Sequence, residues 1–214
     1  MDKPIFTNIT LPHNNKVGIK VIPGHFATNH SHVNYFIDLT EIKNQYRVAR
    51  EAGRELAKAF TDKYEINSIV CLEGTEMVGA FLAQDLGHHG MHLNSGNDIA
   101  VISPQTNSNN QLLFWENLIP KIYNKKILIL MSSVSTGKTI SRTVECLQYY
   151  GGNILGAAAL FSAVKSFRGI EITSLFSIED VPEYKTSLST ECELCKKGIP
   201  VDAIVSARGI QKVR

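Results

Sequence analysis

The chain has 214 residues, 43% of them hydrophobic and 20% charged, the balance of an ordinary globular protein able to bury a substantial core. A formal net charge of +2 gives no reason to expect a nucleic acid or an anionic membrane as partner, and no apolar run approaches the roughly 20 residues of a membrane span. Cys71, Cys146, Cys192 and Cys195 are too few and too scattered for a disulfide framework, and the opening "MDKPIFTNITLPHNN" lacks a long apolar core, so the expectation is a cytoplasmic protein with reduced thiols.

In chain order, "KVGIKVI" (16–22) and "VNYFIDL" (33–39) read as short strands flanking a polar loop, "PGHFATNHSH". From Thr40 the apolar residues Ile42, Tyr46, Ala49, Gly53, Leu56 and Phe60 fall on one helical face. An α/β rhythm follows: strand "SIVCLE" (68–73), turn "GTE" (74–76), and a helix over 77–87 stopped by Gly87. Next come strand "DIAVIS" (98–103), loop "PQTNSNN" (104–110), strand "QLLFWE" (111–116), strand "KILILM" (126–131), loop "SSVSTG" (132–137) and a helix from Lys138 to Tyr150. Two further strands are expected at 154–162 and 172–178. Strands alternating with helices at this spacing predict an α/β fold with a mostly parallel twisted sheet flanked by helices. Ligands in such sheets sit beyond the carboxyl ends of the strands, which brings the loops at 73–77, 104–110 and 131–138 together.

The stretch "ILILMSSVSTGKT" (127–139) is an apolar strand entering a small-residue loop that opens a helix, an arrangement suited to phosphate because backbone N–H groups are accessible there. Ser132 to Thr139 meets the G-x-x-x-x-G-K-[ST] pattern of a P-loop except at its first glycine, which makes an NTP-binding protein the third reading. It lacks a Walker-B aspartate; Asp180 in "SLFSIED" is the nearest candidate.

The same stretch resembles the ribose-phosphate loop of the type I phosphoribosyltransferases, and four other segments resemble orotate phosphoribosyltransferases in the same order. These are "GHFATNHSHVNYFID" (24–38), similar to the hood; "IVCLEGTEMVGAFLA" (69–83), at the pyrophosphate loop; "YYGGNILGAAALFS" (149–162); and "CELCKKGIP" (192–200), similar to a C-terminal segment of several bacterial members. The resemblance implies the phosphoribosyltransferase type I fold, with hood and N-terminal segment at 1–40, α/β core at 41–180 and a C-terminal segment at 181–214. It implies transfer of ribose-5-phosphate between phosphoribosyl pyrophosphate and a nucleobase with Mg²⁺, in a homodimer of nucleotide metabolism, with a phosphorylated sugar or nucleotide rather than nucleic acid or membrane as partner. Ser135, Thr136, Gly137, Lys138 and Thr139 would grip the 5-phosphate, Ser132 and Ser133 would meet the ribose, and Glu73, Gly74, Thr75 and Glu76 would form the pyrophosphate loop. His25, Phe26 and His32 would cover the base.

Three departures weaken the stated chemistry. The family's acidic pair falls on Met131 and Ser132, and losing such charge in a closed site costs a few kcal/mol, about 10²–10³ in rate. The loop at 104–110 has no basic residue, and the family's arginine is replaced by Ser162, Ala163 and Val164, with Lys165 and Arg168 the nearest cations. These losses keep a second reading open, a non-catalytic relative that binds a nucleotide or phosphoribosyl pyrophosphate as a sensor. Candidates for the missing charge are Glu73 and Glu76, with Ser132 as a neutral substitute. The C-x-x-C of Cys192 and Cys195 lacks a second ligand pair in its neighbourhood, so a tight turn is favoured over a zinc site. His88, His89 and His92 read as a solvated loop, and Trp115 as a strand aromatic of the core.

Overall fold

The computed structural model describes residues 6–29, 31–88, 90–107, 111–206 and 209–213. Its strands and helices follow as β1 (Thr7–Leu11), β2 (Asn14–Ala27), β3 (His32–Asp38), α1 (Thr40–Asn44), α2 (Tyr46–Lys58), β4 (Ser68–Cys71), α3 (Glu76–Gly87), β5 (Ala100–Ile102), β6 (Gln105–Thr106) and β7 (Leu112–Leu113). A 3-10 turn (Glu116–Lys121) leads to β8 (Lys126–Val134), α4 (Lys138–Tyr149), β9 (Asn153–Ser162), β10 (Ser166–Phe167), β11 (Ile170–Ser177), β12 (Thr186–Ser187), α5 (Glu193–Lys196), β13 (Ala203–Ser206) and β14 (Gly209–Lys212). Among the described residues no helix is long and apolar enough to cross a membrane.

The core sheet has strand order β10-β11-β9-β8-β4-β5, parallel throughout except where β10 turns back on β11. β4 is buried along its whole length and β8 along nearly all of it, as expected for strands covered on both faces. Side-chain alternation divides β8 between two cores. Leu128 and Leu130 pack with Ile69, Leu56 and Leu82 on the α2–α3 side, whereas Ile127, Ile129 and Met131 pack with Val70, Ile140 and Leu147 on the α4 side. The α2–α3 crossing is close because Gly53 has no side chain: a Cβ there would lie 2.8 Å from the Leu82 nitrogen.

The second sheet forms the hood, in order β12-β3-β2-β13-β14 with β1 also on β2. The N-terminal and C-terminal segments, read from the sequence as separate stretches, therefore share one sheet. β13 lies parallel to the end of β2, pairing Ala203 with Phe26 and Ile204 with Ala27. Most of the expected polar loop after Ile22 is strand, since its backbone groups find partners on β3; a register shift between Pro23 and Phe26 accommodates the proline.

Three further expectations are corrected. The helix from Thr40 breaks at Gln45, which is extended (φ −100°, ψ 110°), and this leaves Tyr46 56% exposed. The strand at 111–116 shrinks to Leu112–Leu113, because the 3-10 turn containing Pro120 begins at Glu116; Phe114 is buried and Trp115 is 57% exposed. β8 runs on through Ser132 and Ser133 to Val134, so the loop before α4 is only residues 135–137.

Candidate functional site

An open cavity of about 230 Å³ lies where β8 meets α4, walled by the core below and the hood above. Ser135, Thr136, Gly137, Lys138 and Thr139 all line it. Gly137 stands at the N-terminus of α4 with φ +76°, and a Cβ there would fall 2.2 Å from the Phe167 ring. Glycine is thus required by backbone conformation and by packing together. The first-turn N–H groups of α4 have no intrahelical acceptors and face this cavity's end of the helix, as an anion site needs.

Ser132 is buried and donates its hydroxyl proton to Glu73 Oε2, a short contact, while the Ser133 N–H donates to the same oxygen at 3.4 Å. Glu73 thus brings a carboxylate to the strand end where the sequence has no acid. Its backbone has φ +60°, followed by Gly74 at φ +80°, a conformation that costs a non-glycine residue roughly 1–2 kcal/mol. Lys43 supports the turn by donating to the Glu73 carbonyl at 3.2 Å. Thr75 is fully buried and donates to the Leu72 carbonyl at 2.9 Å, whereas Glu76 turns away and accepts from Ser103 at 2.8 Å. Of the two candidate acids, Glu73 lines the cavity with Ser132 and Ser133. Asp38, at the hood's junction with α1, is the other carboxylate among the cavity's described lining residues.

The hood residues are placed differently from expectation. His25 and Phe26 are buried in the hood, at 1% and 3% exposure, and neither they nor His32 is among the cavity's described lining residues. Phe26 packs on Phe36 at 6.1 Å between ring centres. The rings of His25 and His32 meet, Nε2 to Nδ1, at 2.9 Å, and both face Cys192 and Cys195. The C-x-x-C therefore has two histidine neighbours that sequence spacing concealed, since they lie more than 150 residues away along the chain. Burial pushes the Cys192 thiol up, but N–H donors from Cys195, His32 and Leu194 outweigh it and hold the thiol below its ordinary range.

Other expected groups stay apart from the cavity. Lys165 pairs with Glu179 at 2.7 Å, and Arg168 donates to Ser141 at 3.0 Å with Glu145 at 3.5 Å. In the loop at 104–110, Asn107 bonds to Gln111, and Ser108, Asn109 and Asn110 lie outside the described residues. His92 lies 3.4 Å from Asp62, and His89 is outside the described residues. The P-loop reading loses its loop: β8 holds Ser133 and Val134 in register with Phe161 and Ser162, so they cannot wrap a phosphate.

A mostly parallel sheet with a phosphate-type loop at one strand end, roofed by a separate hood, is the type I phosphoribosyltransferase fold. The sequence is similar to the orotate phosphoribosyltransferase of Thermotoga maritima, 23% identical over 192 residues, covering 85% of this chain and 90% of its own. Adenine phosphoribosyltransferase from Thermoanaerobacter pseudethanolicus superposes with a TM-score of 0.53 at 17% identity, covering 67% of this chain and 88% of that one. Mycobacterium tuberculosis orotate phosphoribosyltransferase, solved with 5-phospho-alpha-D-ribosyl 1-diphosphate, gives a TM-score of 0.50 at 15% identity, covering 68% and 82%. No protein-family model matches the chain. The chain thus has the type I phosphoribosyltransferase fold and resembles the orotate enzymes in sequence.

Proposed function

We propose that this chain is a phosphoribosyltransferase that uses phosphoribosyl pyrophosphate and a nucleobase, with Glu73 standing in for the missing acids of β8. The observation that carries the reading is one cavity in which the 135–139 loop and the Glu73–Ser132 pair lie side by side. The 5-phosphate would take the N–H groups at the start of α4 and the hydroxyls of Ser135, Thr136 and Thr139. The ribose would then lie over Ser132 and Ser133. As the bond from the anomeric carbon to pyrophosphate breaks, positive charge grows on that carbon beside the Glu73 carboxylate. The base nitrogen forms the new bond and gives up its proton, and pyrophosphate leaves with the bonding pair.

Mg²⁺ would accompany the pyrophosphate; the carboxylate of Asp38 is an oxygen donor of the type it prefers, and it would offset charge on the leaving group. Similarity to orotate enzymes supports orotate as the first base to test. The positions of Lys165 and Arg168 favour no particular carboxylate-bearing base, since both are engaged away from the cavity. The test mixes the protein with phosphoribosyl pyrophosphate, Mg²⁺ and each of orotate, uracil and adenine, and follows pyrophosphate release. Release with one base supports transfer. Tight binding of phosphoribosyl pyrophosphate without release from any base would favour the sensor reading, and absence of binding would refute both.

A further inference from the structure

Ligand atoms of His25, His32, Cys192 and Cys195 all lie within 4.8 Å of one another. His25 comes from late in β2, His32 begins β3, Cys192 precedes α5 and Cys195 lies within it. We propose that these four side chains bind one zinc ion, a Cys2His2 site that staples the C-terminal segment to the hood.

Geometry supports this first. With zinc–nitrogen bonds of about 2.0–2.1 Å and zinc–sulfur bonds of about 2.3 Å, a tetrahedral site has edges of roughly 3.3–3.8 Å. The sulfur–nitrogen distances are 3.5 Å and 3.6 Å from His25 Nε2 to Cys192 and Cys195, and 3.3 Å from His32 Nδ1 to Cys195. The nitrogen–nitrogen edge, at 2.9 Å, needs to open by only a few tenths of an ångström.

The proton count points the same way. His25 Nδ1 donates to the Ile199 carbonyl at 2.9 Å, which in the neutral ring leaves one lone pair, on Nε2. Either His32 Nδ1 carries its proton and competes with both thiols for that one lone pair, or it is bare and its lone pair faces that of His25 Nε2 at 2.9 Å. A cation at the centre, with both thiols deprotonated, turns all four atoms into ligands. Fixing a metal-bound histidine through its other nitrogen is the usual support of such a site. Two sulfurs and two imidazoles suit zinc and do not suit Mg²⁺, which takes oxygen.

The site has a structural purpose on the page. α5 has four residues and buries none of them, so it has little packing of its own to hold it. The two histidines flank the turn from Thr28 to Ser31, closed by the Thr28 N–H to the Ser31 carbonyl at 2.8 Å. Thr28 and Asn29 of that turn line the cavity. The ion would therefore fix part of the cavity's roof without touching it.

The test begins with unaltered full-length protein purified without chelator, analysed for metal, then stripped and titrated with Zn²⁺ and Co²⁺. Expected are about one zinc per chain and, with Co²⁺, visible bands of tetrahedral geometry together with thiolate-to-cobalt charge transfer. Cys195→Ser, at an exposed position, should lose most of the bound zinc and the charge-transfer intensity from that sulfur, while a circular dichroism spectrum reports that the core remains folded. His25→Ala should lose the metal as well. Reduced wild-type protein that takes up neither ion overturns the proposal, and so does undiminished zinc in both variants.

Discussion

Glu73→Gln isolates the charge that the proposed reaction depends on. The amide oxygen can still accept from Ser132, and glutamine inherits the same left-handed backbone at φ +60°, so the turn should survive with its strain unchanged. Glu73 is half-buried, which sets an effective dielectric near 20 rather than that of water. A carboxylate about 5 Å from the anomeric carbon then contributes about 3 kcal/mol for a full positive charge and about 1.7 kcal/mol for half of one. The expected loss in kcat is about 20- to 300-fold. Binding should behave differently. Phosphoribosyl pyrophosphate is a polyanion, so removing a nearby negative charge should leave its affinity unchanged or raise it. Initial rates of pyrophosphate release and calorimetric titration, with a thermal melt as the control for folding, read these separately. A folded variant that binds the substrate and turns over within about twofold of the original would refute the assignment of Glu73.

Restoring the acids of the family on β8 should fail, contrary to what the sequence suggests. Met131 is buried at 1% exposure on the α4 side, so Met131→Asp should cost at least about 2–5 kcal/mol, visible as a lower urea midpoint. Gly137→Val cannot serve as a clean binding test, because φ +76° and the Phe167 ring would destabilise the fold itself; Thr136→Ala and Thr139→Ala should each weaken phosphate binding by about three- to tenfold with little change in melting temperature. Acid stability follows from Glu51 and Glu55. The hydrogen bond from Arg50 lowers the Glu51 carboxyl, and at Glu55 burial is outweighed by donors from Lys58, Asn14 and His13. Because both folded values lie below the ordinary carboxylate value of about 4.3, the stability they contribute is complete above that pH and is lost as pH falls through the folded values. Asn14→Ala, which removes a donor to both, should therefore lower the melting temperature at neutral pH more than at a pH below both folded values, where the carboxylates are neutral.

The core was legible because its signals are local. The unbroken apolar run of β8 and the small-residue turn after it announce a covered parallel strand and a helix start without reference to anything distant. The hood was only half legible: β13 and β14 are short, partly exposed strands, and β2, which joins their hairpin to the sheet, lies at the other end of the chain. Glu73 could be suspected from an acid placed beside a glycine turn, but its reach to Ser132 depends on the parallel pairing of β4 with β8. The resemblance puts His25 and His32 over the base because it assigns their segment to the hood. The signal that could have redirected them was a pair of histidines in one segment matching a pair of cysteines in another, and the β12–β3 and β2–β13 pairings bring the two together.

The shared hood sheet also dictates an order of assembly. As the chain leaves the ribosome, β1, β2 and β3 emerge early and β1 covers the first part of β2's far edge, yet the strand that covers its end, at Phe26 and Ala27, follows some 175 residues later. At about 5–20 residues per second, the end of that edge waits roughly 9–35 s with its backbone groups unpaired. Over the same interval the parallel core can close on β4, β8 and β9, so the floor of the cavity exists before its roof. Nascent chains stalled before β13 should consequently protect the core from proteolysis while leaving the end of β2, at Phe26 and Ala27, open to cleavage or to pairing with another chain.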